Sequence, residues 1–157
     1  MSTPETFMAR AVAISGEHMR QGLGGPFGAV IVKEGKIVGE GSNQVTSTND
    51  PTAHAEVVAI REACRTLGTF SLEGCEIYAS CEPCPMCLAS IYWARLDRAY
   101  FANNREDAAR IGFDDSFLYD EVAKPIENRS LPLIHLPSEE AGSIFQEWQD
   151  KEDKIRY

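Results

Sequence analysis

What this chain lacks narrows it first. No run of about eighteen apolar residues occurs in it, so no membrane-spanning helix is expected. Its first residues, Met1-Ser2-Thr3-Pro4-Glu5, hold neither a basic stretch nor an apolar core, and no secretory signal is expected there. Basic residues are scarce: 15 Lys and Arg against 24 Asp and Glu leave a net charge of −9, and no local basic patch interrupts it. That field repels nucleic acid and points to a small, neutral ligand. Cysteine is sparse, odd in number at five, and clustered. A reducing compartment with a metal site suits that pattern better than a disulfide framework, so a cytoplasmic protein is expected. Repeats and low-complexity segments are missing too.

What is present is an ordinary globular composition, 43% hydrophobic and 25% charged over 157 residues. One domain is expected, large enough to bury roughly two-thirds of its unfolded surface. Thr3 with Pro4 starts a helix whose apolar stripe includes Phe7, Ala11 and Ile14, ended by the glycines at 22, 24 and 25. Residues 27–33 and 36–41 form a hairpin about Glu34-Gly35, and 42–50 is a polar loop. Asp50 and Pro51 open a helix that Gly68 stops. Strands at 76–80 and 98–102 flank a helix over 84–95, and this alternation argues a mostly parallel arrangement there. Short helices at 104–112 and 115–122, a last strand at 133–136 and a terminal helix from Ser138 complete the chain. The expected fold class is α/β: a mixed five-stranded sheet in a three-layer α/β/α sandwich.

Two motifs carry chemistry. Cys84 and Cys87 stand three apart behind Pro83, so a helix starting there puts both sulfurs on one face of its first turn. The positive end of the helix dipole favours the thiolate form that binds metal. Some thirty residues upstream (an ordinary span for helix, strand and turn), His54 offers a nitrogen ligand at another helix start, with Glu56 beside it. Three ligands and an open position for water describe a catalytic zinc, with the carboxylate handling protons. H-x-E…P-C-x-x-C is the signature of zinc-dependent nucleobase deaminases.

Other readings compete for the same cysteines. Cys81, Cys84 and Cys87 begin an iron–sulfur ligand run, but Ile91 stands near where its next cysteine belongs. A thioredoxin-like pair fits the strand-to-helix context yet leaves His54 and Glu56 idle. A closed structural zinc built from His54, Cys81, Cys84 and Cys87, in a non-catalytic interaction domain, is the serious rival. Cys64, Cys75, His18 and His135 are expected to be structural.

Beyond the metal motifs the chain resembles the guanine deaminases of the cytidine-deaminase-like zinc deaminase superfamily over nearly its whole length. The resemblance rests on Gly24-Gly25-Pro26-Phe27-Gly28-Ala29-Val30, on Asn43 with the segment 49–56, and on the segments 80–87, 91–95 and 112–117, with the terminal Tyr157. It implies one zinc ion per subunit and hydrolysis of guanine to xanthine and ammonia. It also implies a homodimer that exchanges C-terminal segments, about residues 137–157. In that reading Glu56 moves a proton from water to a ring nitrogen, N3 or N1, as oxygen adds to C2. The resemblance puts Asp115, with Asp114 as substitute, at the departing amino group; its ordinary alternative is a helix cap. Asn43 suits a polar base edge, since an amide donates and accepts, and otherwise is a turn residue. Phe27 and Trp93 are candidate stacking walls. Ala55 and Tyr157, the latter from a partner chain, complete the expected base contacts. A nucleoside deaminase acting on guanosine or cytidine and a tRNA adenosine deaminase are the neighbouring alternatives.

Overall fold

The computed structural model describes residues 2–157 and divides them into two compact units, one through Ser116 and one from Phe117 to Tyr157. In the first unit, helix α1 (Pro4–Arg20) opens with the expected cap: Thr3 and Thr6 form a reciprocal capping box, with Pro4 at the first turn. Strands β1 (Gly28–Lys33) and β2 (Lys36–Ser42) form the hairpin. Helix α2 (Val45–Thr48) is a single turn inside the expected loop. Then follow α3 (Ala55–Leu67), β3 (Cys75–Cys81), α4 (Pro85–Trp93), β4 (Arg98–Asn103) and α5 (Arg105–Arg110).

The strands make one mixed sheet in the order β2-β1-β3-β4. β1 is antiparallel to both β2 and β3, and β3 is parallel to β4. Three strands, β2, β3 and β4, therefore run the same way and end on one edge. Helices cover both faces, because β1 is apolar on both. Val30 and Val32 join Tyr78 against Phe7, Ala11 and Ile14 of α1, whereas Ala29 and Ile31 join Ile77 against Ala55, Ala59 and Ala63 of α3 and Ile91 of α4. Small residues bring α3 close. A Cβ on Gly41 would lie 2.3 Å from the Ala55 carbonyl, and one on Gly39 would lie 2.6 Å from that of Ala59. This contact sets the first turn of α3 beside the end of β2.

Two sequence expectations need correction. The sheet has four strands, because residues 133–136 pair with no strand among the described residues. Pro132 and Pro137 bracket that stretch, leaving only four residues with N–H donors between them, which is short for a ladder. Helix α3 starts at Ala55 and not near Pro51. The Asp50 carboxylate is engaged elsewhere: its Oδ1 accepts from the Thr52 N–H at 2.9 Å and from the Thr52 hydroxyl at 2.6 Å, forming a turn instead of a helix cap.

The second unit contains most of α6 (Ser116–Ala123), a 3₁₀ turn (Ile126–Asn128) and α7 (Glu139–Asp150), whose N-cap is Ser138 as expected. Glu121 organises it, accepting from the Ser130 N–H at 2.7 Å and from the Lys124 ammonium at 2.5 Å.

Candidate active site

Each metal-ligand candidate stands where a helix begins. His54 is the N-cap of α3 and Cys84 the N-cap of α4, both with extended backbone. N-cap side chains ordinarily accept a hydrogen bond from their own helix. Neither of these does, so imidazole and thiolate are left to project beyond the helix ends. Cys87 follows one turn into α4 and is fully buried.

Nδ1 of His54 lies 3.5 Å from Sγ of Cys84 and 3.4 Å from Sγ of Cys87, and the three donor atoms lie within 4.8 Å of one another. A tetrahedral zinc with bonds of about 2.0–2.3 Å sets neighbouring donors about 3.5 Å apart. The residues therefore fit the ion, and the donor set of two sulfurs and one nitrogen is one zinc favours. Cys81 stays out of that group. Its thiol donates to the Asn104 carbonyl at 3.7 Å, so three protein ligands converge here and not four. The closed structural site loses its fourth ligand.

The thiols divide their roles. Cys84 is lowered to about 4, first by the hydrogen bond with Cys87 and, against burial, by that with His54. Cys87 is pushed up, because it shares the proton with Cys84, is buried and faces Glu56. His54 is raised by its bond to Cys84. Cys81 is pushed up to about 11 by burial, with the charge of Glu56 adding to it. Glu56, only 6% exposed, is raised by burial.

A cavity of ≈ 300 Å³ opens onto this cluster, where the three co-directional strands end. In open α/β sheets ligands bind outside the carboxyl ends of strands, and this cavity has that place. Among its lining residues are His54, Ala55, Glu56 and Cys84 from the helix starts, Asn43 after β2 and Phe27 before β1. Phe27 meets the ring of Phe113 edge-on, with centroids 4.9 Å apart at 89°. Asn43 is 8% exposed, and its Oδ1 accepts from the N–H groups of Val45 at 3.2 Å and Gly25 at 3.4 Å.

Three other expected residues are not among those that line the cavity. Trp93 does not line the cavity: it ends α4, about 13 Å along the axis from the cysteine at its start, and is 63% exposed with the Arg95 guanidinium 5.9 Å from its ring centroid. Asp115 is half-buried outside the lining, raised by burial and, among lesser causes, by the Cys84 charge, which marks it as a neighbour of the cluster. Tyr157 belongs to the second unit and is 75% exposed within this chain.

Sequence reasoning missed part of the wall. Val45 and Thr46 come from the one-turn helix, and Ala108 and Phe113 from the segment after β4. Only Phe113 left a signal, as part of the 112–117 resemblance. Glu82, also lining, accepts from the Arg105 N–H at 3.3 Å and ties the cysteine loop to the start of α5.

The model of the cytidine and deoxycytidylate deaminase zinc-binding region matches residues 1–103, and so spans both halves of the donor cluster. The chain belongs to this zinc deaminase family. The deaminase is 54% identical to the guanine deaminase of Bacillus subtilis over 98% of each chain, and the X-ray structure of that enzyme superposes with a TM-score of 0.95. It is 38% identical to a tRNA-specific adenosine deaminase of Aquifex aeolicus, covering 80% of this chain and 81% of that one. A guanine deaminase from Nitrosomonas europaea has 29% identity and a TM-score of 0.70, covering 73% of this chain and 66% of that one.

Proposed function

We propose that this zinc deaminase hydrolyses the free base guanine to xanthine and ammonia. One observation carries the reading: a single cavity joins a three-donor metal site, a buried carboxylate, an aromatic pair and a fixed amide. The near end-to-end likeness to the Bacillus subtilis guanine deaminase supports the choice of base.

His54, Cys84 and Cys87 would hold zinc, which when bound would supply Lewis acidity. Glu56 receives one proton of the attacking water as the water oxygen bonds to C2 and delivers it to a ring nitrogen, N3 or N1. It then passes the second proton to the amino nitrogen; the C2–N bond breaks, ammonia leaves and the carbonyl of xanthine remains. Shielding from bulk solvent suits Glu56 to hold a proton between these transfers. Asp115, near enough to feel the charge of Cys84, holds the departing amino group in this reading. Asn43, Phe27 and Ala55 position the base.

The enzyme works as a homodimer in which a C-terminal segment, about residues 137–157, passes to the neighbouring subunit and brings Tyr157 to its site. In the single chain Ile134, Leu136 and Phe145 are 79%, 83% and 79% exposed, apolar surface that such an exchange covers. The five free cysteines accord with a cytoplasmic setting.

Ultraviolet spectra of the zinc-loaded enzyme with guanine, guanosine, adenine, cytosine and cytidine in parallel test the reading. The guanine spectrum alone should become that of xanthine. Faster conversion of a nucleoside, or of adenosine in a tRNA stem-loop, overturns the assignment.

A further inference from the structure

We propose that Gly24 is a positioning residue that turns the Asn43 amide so that its nitrogen, and not its oxygen, faces the base. The proposal rests on the purine-base reading above and adds to it how one edge of the base is recognised.

An asparagine in a cavity offers a donor or an acceptor according to which atom the protein has engaged. Here the oxygen is engaged. Oδ1 of Asn43 accepts from the Val45 and Gly25 N–H groups, at 3.2 Å and 3.4 Å. The main chain is pinned as well, by the Asn43 N–H donating to the Phe27 carbonyl at 3.1 Å. Nothing among the described residues accepts from Nδ2. No sealed side-chain nitrogen or oxygen of the described residues lacks a partner either, so Nδ2 lies at the cavity surface that Asn43 helps to line.

The loop that fixes this orientation depends on space. A Cβ on Gly24 would stand 2.1 Å from the Asn43 carbonyl oxygen and 2.6 Å from its Oδ1. Gly24 does not occupy the left-handed region, so its missing side chain serves close approach and not backbone freedom. Gly25 provides the contrast. Its Cβ would meet the rings of Phe113 and Phe27, both at 3.3 Å, which can swing aside. At Gly24 the obstacle is main chain, and relief must move Asn43 itself.

A fixed donor demands an acceptor from the base. A ring edge that presents another donor, or nothing, leaves Nδ2 unpaired in a closed site, and such sites reject the mismatched substrate strongly. The 2-aminopurine analogue lacks the carbonyl oxygen of guanine, and 7-deazaguanine lacks the imidazole-side acceptor.

The test measures kcat and KM for guanine, with binding of the two analogues, in zinc-loaded parent, Gly24→Ala, Gly25→Ala and Asn43→Ala enzymes. Gly24→Ala should raise KM for guanine by about 10- to 100-fold, the effect of one lost hydrogen bond in a closed site, with a smaller fall in kcat and zinc content unchanged. Gly25→Ala, which leaves the Asn43 main chain unhindered but presses on the Phe27 ring, should raise KM less than Gly24→Ala does and should keep its effect in the Asn43→Ala background. Placed on Asn43→Ala, Gly24→Ala should add little, since residues acting through one another are not additive. The penalty should shrink for the analogue that lacks the acceptor Asn43 meets. A KM within twofold of the parent, or an undiminished Gly24 effect in the Asn43→Ala background, overturns the proposal. If Gly24→Ala does not fold, Asn43→Asp decides: its carboxylate keeps both N–H contacts but cannot donate, and a KM near the parent's sinks the idea. Should the parent leave guanine untouched, the purine reading fails separately, and the same comparison is made on the base it does convert.

Discussion

Replacing Glu56 with glutamine separates the chemistry of this site from its architecture. The glutamine has almost the same volume, so the packing around a residue 6% exposed is kept. Burial raises the Glu56 carboxyl, meaning that its charged form is held at a cost; a neutral amide removes that cost, and thermal stability should be unchanged or higher. The metal donors are His54, Cys84 and Cys87, so zinc should remain at one ion per chain. What glutamine cannot do is carry a proton. One positioned acid–base group contributes about 10²–10⁴ in rate, and here the same group serves two transfers, so a loss of at least about 10³ in kcat is expected. The KM for guanine should move far less, because Asn43 and Phe27 are untouched. Xanthine formation followed by absorbance, with zinc measured on the same sample, reads both quantities. A kcat within tenfold of the parent at full zinc occupancy would refute the assignment of Glu56 as proton carrier.

Three further outcomes are expected. Cys81→Ser should keep zinc and turnover, since its thiol bonds to the Asn104 carbonyl, whereas Cys84→Ser should release the metal; elemental analysis tells them apart. Arg10 grips Glu40 with two bonds of 2.8 Å across α1 and β2, but both side chains are 40% exposed, so Arg10→Ala should cost less than about 1 kcal/mol in urea melts at pH 7. Arg10 holds the Glu40 carboxyl below its ordinary range, so this contribution is present above that range and should vanish as pH falls through the lowered value. Deleting residues 150–157 should leave a zinc-bound protein with little guanine turnover, and mixing it with Glu56→Gln chains should restore one active site, up to about half of the parent dimer's activity, per heterodimer if tails cross between subunits.

The metal site was legible in sequence because its geometry is local. Cys84 and Cys87 are one helical turn apart, and His54 and Glu56 share one helix start, so short-range rules sufficed to bring their side chains together. Even the mistaken start of α3 left this intact: it put His54 in the first turn instead of at the N-cap, and either place lets the side chain reach beyond the helix end. Trp93 does not line the cavity of its own chain for the converse reason: spacing along a helix gives the face on which a residue lies but also carries it away from the helix start. The expected fifth strand failed because alternation records an apolar stretch and not the presence of a partner ladder. Asn43 shows the deepest limit. Its identity suggested a polar reader, but the direction of its amide depends on two backbone N–H groups, one of them eighteen residues away.

These differences follow one division of labour. The residues proposed to carry the deamination, His54, Glu56, Cys84 and Cys87, sit at the starts of α3 and α4. The cavity-lining residues proposed to face the ring, Phe27, Asn43 and Phe113, come from loops at the edge where β2 and β4 end and β1 begins. A relative that acts on tRNA shares 38% identity, so the metal motif by itself cannot decide between a free base and a base in a nucleic acid. The free-base reading is supported instead by the likeness to a guanine deaminase over 98% of each chain and by a net charge of −9, which disfavours a phosphate backbone. Substitutions in those loops should therefore change which base is converted before they change whether deamination occurs, and substitutions at the helix starts should do the reverse.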